Sequence, residues 1–269
     1  MNKKTLFASI VLIGCIILLI GSYMQWNGKI SSAGVQSPTP ISPSEKDDEN
    51  KDSKTPAEPE QDMERLLALA ANADKQVQAV VQDRLEADEP LDFLIVGSTI
   101  MEEGKPGYAE RLKTALETAY GEFVNVTIAS FDTTSDAFIE NLSSELDFDK
   151  EFDIALFEPF NLKNNGVITP DDQQEYIKLF QNRLTEEVED AVLVLHPSQP
   201  LHQAVYYPLE VESIEAYAAS NDIPYINHWT DWPAIDSDDL PNFLDDDSAP
   251  NDAGAEVWAN ALIKYFIAE

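Results

Sequence analysis

Residues 91–100, reading LDFLIVGSTI, constrain this chain more than any other stretch. After Leu91 and one aspartate, residues 93–96 are apolar without a break, the pattern of a strand buried on both faces. Gly97 ends the run, and two hydroxyl side chains, Ser98 and Thr99, follow at once. A segment with helical spacing then starts at Tyr108, with Leu112, Leu116 and Ala119 on one face. Strand, glycine, hydroxyls and helix in that order open a parallel α/β unit. Gly97, Ser98 and Thr99 then stand at the carboxyl end of its first strand, the edge where open α/β sheets bind ligands and do chemistry. Read plainly, the same residues are only a turn.

The alternation continues along the chain. Residues 123–129 read as a second strand and 136–146 as a short helix. Residues 153–157 (DIALF) form a third strand, and 171–187 a long helix opened by Thr169 and Pro170. Residues 191–195 (AVLVL) form a fourth strand, 213–220 a helix, 224–226 a short fifth strand and 252–267 the closing helix. Such an order predicts the α/β class: a three-layer α/β/α sandwich around a parallel five-stranded sheet, occupying residues 89–269. Ahead of it, residues 62–88 carry helical spacing (Leu66, Leu67, Leu69, Ala70, Val77, Val80, Val81). A helix over 63–85 is predicted, packed on the domain or standing as a stalk.

The first 26 residues are of another kind. Lys3 and Lys4 precede an apolar run from Leu6 that fades through Gly21, Tyr23 and Trp26. About twenty apolar residues suffice for one membrane crossing, and the basic start sets the N-terminus inside. Residues 12–15 (LIGC) also fit a lipidation site, with Cys15 as the modified residue; a cleaved secretory signal is a third reading. The apolar run continues past Cys15 without a small-x-small site, which favours a single-pass transmembrane anchor. All three readings put the remainder outside the cytoplasmic membrane. Residues 27–61, rich in Ser, Pro, Lys, Asp and Glu, bury too little apolar area to offset the entropy of ordering and read as a disordered tether.

The chain has 50 acidic against 17 basic residues, a net charge of −33. A surface of that sign repels phosphate backbones and anionic headgroups, which argues against a nucleic-acid partner. The acids are spread along the chain, as in a surface charged for solubility. Cys15 is the single cysteine, so no disulfide framework or cysteine metal site is expected. No Gly-rich phosphate loop or HExxH motif occurs, and no cofactor is expected.

With this order in place, residues 91–269 resemble the SGNH/GDSL hydrolases, a flavodoxin-like family of esterases, lipases and carbohydrate deacylases. Where that family carries Gly-Asp-Ser-Leu, this chain has Gly97, Ser98, Thr99 and Ile100. The resemblance implies Thr99 as the nucleophile, with Ser98 in the aspartate's place; a one-residue slip makes Ser98 the nucleophile instead. The second block, around Ala129, Ser130 and Phe131, lacks the family's oxyanion-hole glycine. In the third, Pro159, Phe160 and Asn161 keep only the asparagine, implied as an oxyanion donor beside Gly97. The last block, Asp-x-x-His followed by Pro-Asn and Gly, aligns with Asp246, Ala249, Pro250, Asn251 and Gly254. The histidine position is therefore Ala249.

A hydroxyl nucleophile needs a base to take its proton and return it to the leaving group, and the triad aspartate acts only through the histidine it orients. Asp246 is left without its imidazole. His196 and His228, directly after the fourth and fifth strands, and Glu158, after the third, are candidate substitutes on the same sheet edge. Each equally reads as an element of packing or loop order. His202 lies in a loop and carries no special weight. Asp245, Asp246 and Asp247, with Asp236, Asp238 and Asp239, lack the ligand spacing of a calcium loop and read as solvated. Residues 164–166 (NNG) read as a turn. Trp229, Trp232, Trp258, Tyr206 and Tyr207 are candidates either for core or for a sugar-binding cleft. Two functions are expected to compete. One is a membrane-tethered ester hydrolase acting on O-acyl groups of cell-surface carbohydrate or lipid. The other is a degenerate SGNH-like domain that binds a glycan or a protein.

Overall fold

The computed structural model describes residues 58–268. The anchor and Cys15 readings, and most of the tether, lie outside them. No helix among the described residues is long and apolar enough to cross a membrane.

Four parallel strands form the sheet: β1 (Leu91–Ser98), β2 (Val124–Phe131), β3 (Ile154–Phe157) and β4 (Val192–Leu195), in spatial order β2-β1-β3-β4. β1 is central, paired with β2 from Leu91↔Val124 to Ser98↔Phe131 and with β3 from Phe93↔Ile154 to Val96↔Phe157. Its burial on both faces follows from the period of two in its side chains. Leu91, Phe93 and Ile95 enter one hydrophobic cluster, Leu94 and Val96 the other.

Around the sheet lie α1 (Glu58–Leu69), α2 (Lys75–Ala87), α3 (Tyr108–Tyr120), α4 (Ser135–Glu145), the single turn α5 (Asn161–Asn164), α6 (Pro170–Glu187), α7 (Tyr207–Ser220) and α8 (Asp252–Phe266). Helices α1, α2, α3 and α8 supply the first cluster, and α4, α6 and α7 the second, so the architecture has three layers. Thr169 caps α6 by accepting from the Asp172 N–H, and Pro170 occupies its first turn, where no intrahelical donor is needed.

The expected fifth strand is not formed. Residues 224–226 make one isolated parallel bridge, Leu195↔Tyr225, with Leu195 N–H donating to Pro224 O and Ile226 N–H to Leu195 O, each at 2.8 Å. Pro224 has no N–H for a ladder, and the chain turns away into a 3-10 segment at His228. The helix expected over 213–220 begins earlier, at Tyr207, because Pro208 sits in its first turn and Tyr207, Val211, Ile214 and Ala218 already make one buried stripe.

Two helices, not one, cover residues 63–85, and the first starts at Glu58, inside the segment read as tether. The break at Ala73 is held by the end of α8. Asn72 Nδ2 donates to Lys264 O (2.9 Å), Asp74 N–H to Tyr265 Oη (3.1 Å) and Tyr265 Oη to Asp74 Oδ2 (2.7 Å). The pair is packed into the core through Leu66, Ala70, Val77 and Val81. An ion pair fixes α2 to the sheet: Arg84 Nη2 lies 2.5 Å from Asp153 Oδ1, and Asp153 Oδ2 accepts the Asp92 N–H at 2.8 Å. Asp153 is 2% exposed. Asp153 is the buried member of the pair, so losing Arg84 leaves a buried charge uncompensated. Arg84→Met is therefore expected to lower the unfolding free energy, measured with urea, by about 3 kcal/mol.

Candidate active site

The strand order places the topological switch point between β1 and β3, since the chain leaves β1 to one side and returns on the other. Glu158, one residue past β3, fills that crevice and is fully buried. Its approach depends on Gly97: a Cβ there would lie 2.8 Å from Glu158 Cβ and 3.0 Å from its carbonyl oxygen. Glycine at this position lets β3 deliver a carboxylate against the end of β1.

Four donors converge on that carboxylate. Oε2 accepts Ser98 N–H (2.9 Å) and Ser98 Oγ–H (2.6 Å); Oε1 accepts Asn161 N–H (3.1 Å) and the hydroxyl of Ser198. Both lone-pair directions on each oxygen are taken, which is how a carboxylate is tolerated out of water. Ser98 is 2% exposed, and its proton is committed to this bond. Thr99, opening a 3-10 turn, is half-buried, and its hydroxyl has no partner among the described residues.

The loop after β3 is itself anchored. Pro159 O accepts from Ser135 Oγ (3.1 Å), Asn164 Nδ2 (3.1 Å) and Gln173 Nε2 (2.8 Å), while Asn164 Oδ1 takes the Ser135 N–H (3.0 Å). Asn164, read as a turn residue, is thus a buried brace. Phe160 adopts the left-handed region (φ 57°), costly for a bulky side chain, and is held there against Phe138 and Phe157. That conformation aims the Asn161 N–H at Glu158. The Asn161 side-chain amide is buried, with neither atom partnered.

Neither histidine reaches a hydroxyl. His228 uses both nitrogens: Nδ1 accepts the Trp232 indole N–H (3.0 Å), so the proton is on Nε2, which donates to Pro197 O (2.8 Å). Its ring stacks on Trp258, centroids 4.5 Å apart, and burial pushes its pKa down to about 3. His196 Nδ1 faces the Trp258 indole N–H (3.3 Å) and Pro197 O (3.2 Å), and its Nε2 is buried without a partner. Burial, then the neighbouring His228, holds His196 well below the ordinary histidine range. Trp232 and Trp258 belong to the core, whereas Tyr206 is 77% exposed.

The last block serves structure. Asn251 Oδ1 caps α8 by accepting Ala253 N–H (2.9 Å) and Gly254 N–H (3.1 Å), and its Nδ2 donates to Asn242 O (2.9 Å) and Leu244 O (3.1 Å). A Cβ on Gly254 would fall 2.2 Å from Phe243 O, so α8 packs here only with glycine. Asp245, not Asp246, orders the loop, accepting Asp247 N–H and Ala249 N–H, each at 2.9 Å. Asp246 is exposed, with no hydrogen bond among the described residues. Ser198, the fourth donor to Glu158, is marked in the sequence only by its place directly after His196-Pro197 on the same sheet edge. Among the described residues, no group of acidic, histidine and cysteine side chains could hold a metal ion.

No family model and no curated protein sequence matches the chain. Solved structures do resemble it. A protein assigned to the GDSL-like lipases, from Parabacteroides merdae ATCC 43184, is 12% identical with a TM-score of 0.54, over 65% of this chain and 95% of that one. A catalytic mutant of an acetylxylan esterase from Geobacillus stearothermophilus is 12% identical with a TM-score of 0.53, over 66% and 95%. An α/β hydrolase from the metagenome of Lake Arreo, Spain, is 14% identical with a TM-score of 0.52, over 65% and 94%.

The two neutral imidazoles have a measurable consequence. Both stay unprotonated in the folded protein but take a proton near pH 6.5 once unfolded. Stability is therefore full above that pH and falls below it, by about 1.4 kcal/mol per pH unit for each histidine. Urea unfolding at pH 5.5 is expected to give a free energy about 2.5 kcal/mol below that at pH 7; equal values would contradict neutral burial of the pair. By its likeness to those solved structures, the chain has the fold of the GDSL-like lipases and esterases.

Proposed function

We propose that this is a catalytically degenerate SGNH-like domain that binds a glycan outside the cytoplasmic membrane, held there by an N-terminal anchor over residues 1–26. One observation carries the loss of hydrolysis: the Ser98 hydroxyl donates to a fully buried carboxylate that already holds three other donors, and no imidazole contacts either Ser98 or Thr99. Acyl transfer requires a base free to accept the nucleophile's proton and to return it. Ala249 removes the usual base, and Asp246, on an exposed loop, has nothing to orient. The glycan reading is supported by Tyr206, exposed beside the carboxyl edge, and by the acetylxylan esterase among the structures of similar fold.

A second reading, a slow esterase, has its own support. Ser98 Oγ lies 2.6 Å from Glu158 Oε2, within reach for direct proton transfer from a hydroxyl to a carboxylate base. Hydrolysis of short-chain p-nitrophenyl esters by the full-length chain separates the two. Degeneracy predicts rates equal to buffer, unchanged by Ser98→Ala or Thr99→Ala. Turnover abolished by just one of these substitutions would identify a working nucleophile and overturn the proposal. Titration with acetylated and deacetylated xylan fragments then tests the glycan, and Tyr206→Ala is expected to weaken that binding at least tenfold.

A further inference from the structure

A groove of about 690 Å³ opens at the amino-terminal edge of the sheet, the edge opposite Glu158. Pro90 and Phe123, which directly precede β1 and β2, lie at its base, and α1 and the end of α2 form its walls. Its floor is apolar: Leu66 is buried, and Leu85 and Phe123 are partly buried against the core. Its rim is acidic, carrying Asp62, Glu86, Asp88, Glu89 and Glu122. Local structure holds that rim in place. Asp88 adopts the left-handed region (φ 57°) and reverses the chain at the end of α2; its N–H donates to Leu85 O (3.2 Å), and the Glu89 N–H to Arg84 O (3.0 Å). On the other wall Arg65 ties α1 to the end of α3, Nη1 donating to Ala119 O at 3.1 Å.

Asp62 lies 3.1 Å from Arg65, and Glu89 lies 2.6 Å from Arg84, whose guanidinium is shared with Asp153. Glu86, Asp88 and Glu122 are exposed and have no cationic partner among the described residues. An apolar floor under an uncompensated negative rim selects its occupant by charge as well as by shape. A second copy brings the same rim and the same net charge of −33, and phosphate backbones and anionic headgroups are repelled in the same way. A purely polar cation gains nothing from the floor. We infer that this groove docks a basic amphipathic segment of a partner protein. Its apolar side chains sit on Leu66, Leu85 and Phe123, and its lysines or arginines lie beside Glu86, Asp88 and Glu122. A helix that lays its apolar face into a groove is a recurrent mode of peptide recognition, and the volume falls in the range of binding clefts, roughly 300–1,000 Å³.

The groove does not depend on the glycan reading, which concerns the other edge of the sheet. It is tested on the full-length chain by fluorescence anisotropy with a labelled helical peptide of leucine and lysine, beside a counterpart with serine for each leucine. The leucine peptide is expected to bind, and Glu86→Lys combined with Glu122→Lys to weaken it by at least about tenfold. Glu140→Lys combined with Glu212→Lys makes the same change of charge at exposed positions of α4 and α7, in the other layer, and is expected to leave binding unchanged. Equal weakening by the two pairs would mean diffuse attraction to an acidic surface and would overturn the inference. A serine peptide that binds as tightly, or a leucine peptide that does not bind, overturns it too. Spermine held at Glu86 and Glu122 without peptide binding would assign the groove to a small cation instead.

Discussion

A carboxylate that cannot reach water must be surrounded by donors, and the region around the candidate site is arranged to meet that demand at Glu158. β1 carries glycine as its penultimate residue so that the carboxylate can approach, and Ser98 at its end turns both its N–H and its hydroxyl toward it. Phe160 is held in a costly backbone conformation so that Asn161 adds a third donor, and the loop after β4 brings Ser198 as the fourth. The braces at Pro159, Ser135, Asn164 and Gln173 keep the loop after β3 from relaxing. Hydrogen bonds to a charged group contribute about 1.5–3 kcal/mol each when buried. The cage therefore ties the ends of β1, β3 and β4 together while occupying the hydroxyl that a hydrolase would need.

The second constraint is aromatic. His228, stacked on Trp258 and bonded to Trp232 and Pro197, is a neutral core residue with the shape of a small aromatic ring. His196 packs edge to face against Tyr108 and Trp258, which are stacked on each other. An imidazole so placed cannot act as a base without leaving the core. Its contribution is packing, specificity of the core and a stability that depends on pH.

The fold was largely legible because it rests on local signals. The apolar run of β1, the Thr169-Pro170 start of α6 and the Asn251-to-Gly254 frame of α8 each declare themselves within a few residues. What was not legible depends on contacts distant in sequence. The break at Ala73 is imposed by Tyr265, 191 residues away from Asp74. Ser198 matters only because Glu158, 40 residues earlier, faces it. The Pro250, Asn251 and Gly254 pattern could be read from sequence, but its meaning could not. Those residues are kept by a helix cap and a close backbone approach, which persist whether or not a catalytic histidine stands at position 249.

The central claim is that Glu158 is committed to holding the sheet edge together, and Glu158→Gln tests it most directly. The amide keeps the shape but turns an N–H₂ group toward the backbone N–H of Ser98 or of Asn161, which has no lone pair to offer, and only the serine hydroxyl on that side can turn to accept. The account predicts that unfolding in urea shows a loss of about 3 kcal/mol or more, as expected when buried donors to a charge lose their acceptor. Unchanged stability, with or without a change in ester hydrolysis, would mean that the carboxylate is not the keystone of this edge and would contradict the account.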